Sequence, residues 1–226
     1  MIYLILIGLF LLVAYGPSLW VRYVLKKYST PIANMPGTGA ELATHLIERF
    51  KLEGVNVVRG GAGENYYSPD EKIVCLSPDV YQGKSLTAVA VAAHEVGHAI
   101  QFYNDEPVTK LRKRYLSKAM LVKRAGSMIL MSIPVFTFLL KSPVIMFIGI
   151  AIGLLTMLSS VFMYAAILPE EYDASYKKAL PILAQGYLPK EHMPAARKIL
   201  QACALTYVAA ALADIFSLWR WFRMIR

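Results

Sequence analysis

The stretch SLTAVAVAAHEVGHAIQF, residues 85–102, decides how this chain is organised. At its centre residues 94–98 read HEVGH, which is the H-E-x-x-H pattern. Residues four apart on an α-helix share one face, so His94 and His98 can bind one Zn²⁺ and leave room for a third protein ligand and a water. Glu95 lies next to that face, where its carboxylate can take a proton from the water. The stretch therefore predicts an active-site helix with two histidine ligands and a glutamate general base.

The residues around the motif indicate that this helix is buried. Apolar side chains flank the motif on all sides of the helix: Leu86, Val89, Val91, Ala92, Ala93, Val96 and Ile100. Buried His and Glu side chains need partners, and a metal ion supplies them. Ser85 is a suitable N-cap at the start of the helix.

The composition predicts an integral membrane protein. Of the 226 residues, 57% are hydrophobic and only 17% are charged, against about half apolar in soluble domains. The net charge of +9 is carried by Lys and Arg residues beside apolar runs rather than in one compact cluster. Basic residues in such places orient a membrane protein and contact lipid headgroups, so we expect a lipid bilayer and no nucleic acid as partner. The two cysteines, Cys75 and Cys203, form no CxxC pair and are expected to be small buried residues.

Apolar runs give the expected course of the chain through the membrane. Residues 2–24 are predicted to be a transmembrane helix whose basic end faces the cytoplasm. Residues 126–168 are predicted to be a transmembrane hairpin, and residues 202–219 a final span that contains Asp214. These spans would place residues 35–125 and 169–201 on the cytoplasmic side of the cell (inner) membrane. The expected fold is a single membrane-embedded domain over residues 1–226, mainly α-helical and multi-pass, with a small zincin-like α+β part.

Turn and cap residues define the elements of that α+β part. Thr38 is a plausible N-cap for an amphipathic helix over residues 39–50. Residues 55–58 predict a short strand, and residues 66–76 predict a β-hairpin that turns at Pro69 and Asp70. The motif helix follows this hairpin directly.

A zinc site with two histidines needs a third ligand, commonly a His or an acid. His192 is one candidate, and the acids of EEYDAS, residues 170–175, are the others. The spacing of these residues does not choose between them.

Four segments of the chain together resemble a known family. HEVGHAIQ, LSPDVYQGKS before it, LPEEYDAS after the apolar hairpin and the TYVAAAL run near the end are similar to the YugP-like family of membrane-bound neutral zinc metallopeptidases. The resemblance covers nearly the whole chain. It implies that His94 and His98 are ligands and that Glu95 is the general base.

The same resemblance implies the third ligand. It is the glutamate of the E-[FY]-D-A-S stretch, which is Glu171, and Glu170 beside it is the alternative. Asp173 would then accept a ring N–H from a ligand histidine. The arrangement is also similar to the wider glutamate-zincins, including HtpX-like and CAAX-prenyl proteases, whose pattern is E-x-x-A-D. This chain has Ser175 at the last position of that pattern.

The sequence therefore predicts a membrane endopeptidase with one Zn²⁺ per chain that cleaves peptides or membrane-protein segments. Tyr207 and His192 are candidates for stabilising the oxyanion of the tetrahedral intermediate. A non-catalytic zinc-binding membrane scaffold is the main alternative, although a structural site has no need of an acid at Glu95. A transporter or channel is a further alternative, but it calls for several polar groups inside the spans.

Overall fold

The computed structural model describes residues 2–140, 142–209 and 212 of the chain. These residues are mostly helical, with one small sheet. The α-helices are α1 (Ile2–Lys27), α2 (Gly39–Arg49), α3 (Pro78–Tyr81), α4 (Leu86–Tyr103), α5 (Lys110–Leu140), α6 (Pro143–Tyr172), α7 (Leu180–Ile182) and α8 (Met193–Ala204). The strands are β1 (Asn56–Arg59), β2 (Tyr66–Ser68) and β3 (Ile73–Leu76). Two π-helical segments (Asp173–Ala179 and Leu183–Tyr187) and two short 3₁₀ turns (Pro107–Thr109 and Lys190–His192) complete the described elements.

The chain divides into two compact units. The helical unit comprises the described residues of Met1–Ser18, Lys110–Ile167 and Tyr207–Arg226. The core unit comprises Leu19–Thr109 and Leu168–Thr206, and it contains the sheet, α2, α4 and α8. The motif helix and the EEYDAS stretch therefore belong to the same unit, although the sequence separates them by about 70 residues.

The prediction of a multi-pass membrane fold is wrong for the residues that the structure describes. A helix needs about 20 consecutive apolar residues to cross a bilayer. Within residues 2–140, 142–209 and 212, no helix contains a stretch that is both long and apolar enough. The cytoplasmic-side placement was derived from those spans and loses its basis with them. Half of the expected final span over residues 202–219, namely residues 210–211 and 213–219 with Asp214, lies outside the described part.

Helix α4 is the centre of the core unit. It begins as predicted at Ser85, whose hydroxyl accepts from the backbone N–H of Ala88 at 3.1 Å. All residues of α4 except Tyr103 are buried, so the prediction of a buried motif helix is confirmed. The helix packs against α2, α8 and the first π-helical segment. An α-helix that is enclosed in this way must satisfy its polar side chains within the protein.

Local signals in the sequence also place α2 and the hairpin correctly. Thr38 caps α2 in a capping box, in which the Thr38 hydroxyl accepts from the Glu41 N–H and the Glu41 carboxylate accepts from the Thr38 N–H. β2 and β3 pair antiparallel, with Tyr67 opposite Val74, and they form the predicted hairpin. β1 pairs parallel with the other side of β3, which gives the order β1–β3–β2 and leaves β2 at an edge. The Tyr67 ring lies against Phe102 of α4, with ring centroids 5.8 Å apart.

A glycine inside the motif sets the distance between α4 and the first π-helical segment. A Cβ atom built on Gly97 would lie 2.9 Å from the backbone oxygen of Ala174 and 3.3 Å from Cβ of Lys178. A backbone oxygen cannot move aside as a flexible side chain can. Only glycine at this position lets the two segments approach so closely.

We therefore expect Gly97→Ala to destabilise the fold. Overpacking of a tight contact costs about 1–3 kcal/mol, although alanine itself favours a helix over glycine by about 1 kcal/mol. The matched control is Gly8→Ala in α1, where a built Cβ meets nothing within 4 Å. In urea unfolding of both variants, the free energy of unfolding of Gly97→Ala should fall relative to the control. Equal free energies would show that the contact can relax.

Candidate metal centre

Three side chains with metal-binding atoms meet in the core unit. Oε2 of Glu171 lies 3.3 Å from Nε2 of His94 and 3.3 Å from Nε2 of His98. One ligand atom from each residue lies within 4.8 Å of those of the other two, and all three residues are buried. Among the residues that the structure describes, no other group of His, Cys, Asp or Glu has this geometry.

The two separations from Oε2 of Glu171 fit a tetrahedral zinc ion. Zn–N and Zn–O distances are about 2.0–2.1 Å, so two ligands at the tetrahedral angle lie about 3.3–3.4 Å apart. Both carboxylate–imidazole distances have this value. Two imidazole nitrogens with one carboxylate oxygen are also a donor set that catalytic zinc sites use, with a fourth position left for water or substrate. The residues present therefore fit the metal that the sequence predicts.

Ser175 determines which nitrogen of His94 is available to a metal. The Ser175 hydroxyl lies 3.0 Å from Nδ1 of His94 and donates its single hydrogen to the carbonyl of Leu200 at 2.9 Å. The hydroxyl oxygen must then accept from an N–H on Nδ1. With its proton held there, the ring presents Nε2 towards Glu171, which is the nitrogen that a metal would bind.

Gln101 has the equivalent position beside His98. Its Oε1 lies 3.0 Å from Nδ1 of His98, and the Gln101 side chain is fully buried. The side-chain oxygen of an amide can only accept, so Nδ1 carries the hydrogen here as well. Both histidines therefore turn Nε2 towards the carboxylate of Glu171.

The two imidazoles also determine the charge of Glu171. Burial alone would raise the pKa of this carboxyl, but positive charge on His98 and hydrogen bonds donated by Nε2–H of both histidines outweigh that effect as long as no metal is bound. The pKa of Glu171 is consequently held well below its ordinary value. A zinc ion would take the place of those Nε2 hydrogens. A carboxyl group that stays ionised is ready to bind a cation.

Glu95 lies in the same buried environment, next to His94 on α4. Its exposed fraction is 7%, compared with 1% for Glu171. Burial, with added effects of the Glu95 and Glu171 charges, raises the pKa of the nearby Cys203 thiol. Cys203 therefore remains a neutral thiol beside the carboxylates, and both it and Cys75 are free and buried as the sequence predicts.

The structure separates the two neighbouring glutamates. Glu171 faces Nε2 of His98, whereas Oε1 of Glu170 lies 3.4 Å from Nδ1 on the other edge of the same ring. The carboxylate of Asp173 accepts from the Gln101 amide at 2.9 Å, and its other contacts are with Lys177 and Lys178. Asp173 thus reaches the histidine through Gln101.

The two candidates for oxyanion stabilisation have other neighbours. Tyr207 belongs to the helical unit, where its ring lies 5.8 Å from that of Tyr164 and 5.2 Å from the Arg112 guanidinium. His192 is half-buried in the turn before α8, with Nε2 3.7 Å from the Glu191 carboxylate. Neither is in the metal cluster, and a role in oxyanion stabilisation stays a prediction for both.

Sequence reasoning did not assign a role to Gln101 or to Ser175. In both cases the spacing from a ligand residue along the helix could have indicated a role. Gln101 follows His98 by three residues and Ser175 follows Glu171 by four, and residues at these spacings share a helix face. The spacing alone does not say which of many such neighbours contacts a ligand.

Comparison with known proteins gives matches over nearly the whole chain. The family model described as "Putative neutral zinc metallopeptidase" matches residues 3–226. The protein named "Putative membrane protease YugP" of Bacillus subtilis (strain 168) is 32% identical over 222 residues, which cover 92% of this chain and 91% of the relative. No solved structure gives a significant match.

We expect Ser175→Ala to weaken zinc binding. The His94 Nδ1–H would lose its acceptor, and loss of such a partner typically lowers metal affinity about 10- to 100-fold. Ser159→Ala is the matched control, because that hydroxyl donates to the Thr156 carbonyl within α6. Competition with a chromogenic chelator gives both dissociation constants. Equal affinity of Ser175→Ala and wild type would contradict the role of Ser175.

Proposed function

The chain belongs to the neutral zinc metallopeptidase family, and from this premise we propose that it is a zinc-dependent endopeptidase. His94, His98 and Glu171 hold one zinc ion, and Glu95 is the general base. The observation that carries the proposal is the pair of 3.3 Å separations between the Glu171 carboxylate and the two Nε2 atoms, with the buried Glu95 next to His94 in the chain. The family match and this donor set support the same chemistry.

The mechanism assigns each of these side chains a task. Zinc at this cluster would lower the pKa of a water towards about 7 and polarise the scissile carbonyl. The Glu95 carboxylate takes the proton of the attacking water and then gives it to the leaving amine. Ser175 and Gln101 keep the ligand rings in place while this happens. Burial of the cluster strengthens each of these electrostatic interactions.

An extended peptide is the substrate class that the sheet favours. β2 is an edge strand, and Tyr67 on it packs against Phe102, four residues after His98 on the motif helix. An edge strand offers backbone N–H and C=O groups with which a peptide can pair. We propose that the substrate lies antiparallel or parallel to β2 as an additional strand.

The alternative is a zinc-binding scaffold without catalysis. It needs the three ligands but not Glu95, so a variant that keeps the ligands and removes the base separates the two functions.

We predict that Glu95→Gln binds one zinc per chain, as wild type does, while cleavage of an unstructured peptide falls about 10²- to 10⁴-fold, the usual contribution of general acid–base catalysis. Glu171→Ala should lose both zinc and cleavage. Metal content by elemental analysis and peptide hydrolysis by mass spectrometry are the measurements, and Glu53→Gln, at an exposed carboxylate, is the control. Unchanged cleavage by Glu95→Gln would rule out this mechanism, and zinc binding by a wild-type chain that cleaves nothing would favour the scaffold.

We also propose that the chain works at a membrane, as the name of its Bacillus subtilis relative says of that protein. The helical unit has large apolar side chains exposed on three helices, for example Leu12 (68%), Leu121 (69%) and Phe162 (71%). We propose that these exposed apolar side chains belong to a surface that contacts lipid.

For this location we expect the chain to sediment with membranes, to stay there in high salt and to be released by detergent, because apolar contacts are not screened by salt. Fractionation of cells that produce the full chain, followed by immunoblotting, is the measurement. Recovery in the soluble fraction, or release by salt alone, would contradict the proposal.

A further inference from the structure

Gln101 is fully buried one turn after His98, and all of its amide is used. Its Nε2 donates to the backbone carbonyl of Glu170 at 3.0 Å and to Oδ2 of Asp173 at 2.9 Å. Its Oε1 faces Nδ1 of His98 at 3.0 Å. The amide therefore joins the ligand histidine to two positions on the segment that also carries Glu171.

The chemistry of these partners determines which way the amide points. A backbone carbonyl and a carboxylate can only accept hydrogen bonds. The NH₂ end of Gln101 must therefore face Glu170 and Asp173, which leaves only the oxygen to face His98. An oxygen at Nδ1 requires a hydrogen on that nitrogen, so Nε2 is the nitrogen available to a metal.

The opposite orientation of the amide would have the opposite effect. With NH₂ against Nδ1, that nitrogen would have to accept, and the ring hydrogen would move to Nε2. The tautomer with hydrogen on Nε2 cannot bind zinc through that atom. Correct orientation of Gln101 is thus a condition for His98 to bind the metal.

Asp173 itself is held by opposite charges. Its Oδ1 lies 3.2 Å from Nζ of Lys177, and its Oδ2 lies 3.6 Å from Nζ of Lys178. Lys178 is fixed in turn by the carboxylate of Glu106, 2.8 Å away. This arrangement keeps Asp173 as an acceptor pointing at Gln101.

We propose that Asp173 and Gln101 act as one positioning pair, in which Asp173 fixes the orientation of the Gln101 amide and the amide fixes the tautomer of His98. This inference rests on the proposed zinc site. It differs from a direct Asp173–histidine contact, because the effect of Asp173 here needs the Gln101 amide.

Glu170 is the competing acceptor for the same hydrogen. Its Oε1 lies 3.4 Å from Nδ1 of His98, farther than the Gln101 oxygen at 3.0 Å. If Glu170 held the Nδ1 hydrogen, Glu170→Gln would weaken zinc binding and Asp173→Asn would not. The two variants therefore distinguish the two acceptors.

The first test is the zinc affinity of Asp173→Asn in the purified full chain. Asparagine has nearly the same shape but can donate as well as accept, so the Glu170 carbonyl alone still requires the NH₂ end of Gln101, and the opposite orientation of the amide becomes less unfavourable. We expect the zinc dissociation constant to rise about tenfold, at the lower end of the range for partners of ligand histidines. Gln101→Met, which removes the amide at similar volume, should raise it by about 10- to 100-fold. Asp70→Asn is the control, because it makes the same chemical change at an exposed position in the hairpin turn, and we expect its affinity to stay within about twofold of wild type.

The second test combines the two changes. Once Gln101→Met has removed the amide, adding Asp173→Asn should weaken zinc binding no further, since the effect of Asp173 passes through that amide.

Histidine labelled with ¹⁵N reports directly on the protonation of the His98 ring. In the zinc-loaded wild type, NMR should detect an Nδ1–H on His98 that is hydrogen-bonded and exchanges slowly with water, and in zinc-loaded Asp173→Asn this hydrogen should exchange faster because its acceptor is no longer fixed. Thermal unfolding of the metal-free variants verifies that they fold.

The possible results are distinct. Wild-type affinity in either Asp173→Asn or Gln101→Met, or additive effects in the double variant, would overturn the inference while the zinc site stands. If one of the two single variants does not fold, the zinc affinity of the other still tests the inference. A wild-type chain that binds no zinc would remove the proposed function together with the inference.

Discussion

The close contact between α4 and the π-helical segment Asp173–Ala179 is the constraint on which the rest of the site depends. Gly97 has no Cβ, and so the carbonyl of Ala174 can approach the helix that carries the motif. This approach brings Glu171 to the two Nε2 atoms and Ser175 to the far side of His94. π-Helical turns are often found at functional sites, where they change the direction of side chains within an otherwise regular helix. The glycine of HEVGH therefore has a structural task of its own between the two ligands.

A buried site of this kind is stable only if every polar atom has a suitable partner. Both histidines have an acceptor at Nδ1 and the Glu171 carboxylate at Nε2. The acceptors are a hydroxyl for His94 and an amide for His98, and each is oriented by a further bond to backbone or carboxylate. The site is thus organised in two layers before any metal binds, which lowers the cost of ordering the ligands.

The two adjacent glutamates of the EEYDAS stretch occupy different positions at the site. Glu170 and Glu171 are chemically identical and differ by one position, yet they approach opposite edges of the same imidazole ring. Consecutive residues on a helix point about 100° apart, so the sequence motif alone does not show which of the two side chains faces the histidines. The orientation of the helix decides this. The family resemblance identifies Glu171, and the geometry of the cluster agrees with that choice.

The sequence by itself determined the local features: the buried motif helix with its Ser85 cap, the capping box of Thr38 and the hairpin of β2 and β3. Each depends on side chains within a few residues of one another, so spacing and residue type suffice to predict it. The multi-pass fold was inferred from apolar content. Composition gives the number of apolar residues, but it does not show whether one folded helix contains a stretch that is long and apolar enough to cross a membrane. Only the tertiary structure decided the parallel pairing of β1 and the roles of Gln101 and Ser175. Gln101 and Ser175 contact residues 69–81 positions away, and such contacts leave no trace in local spacing because the packing of separate segments creates them.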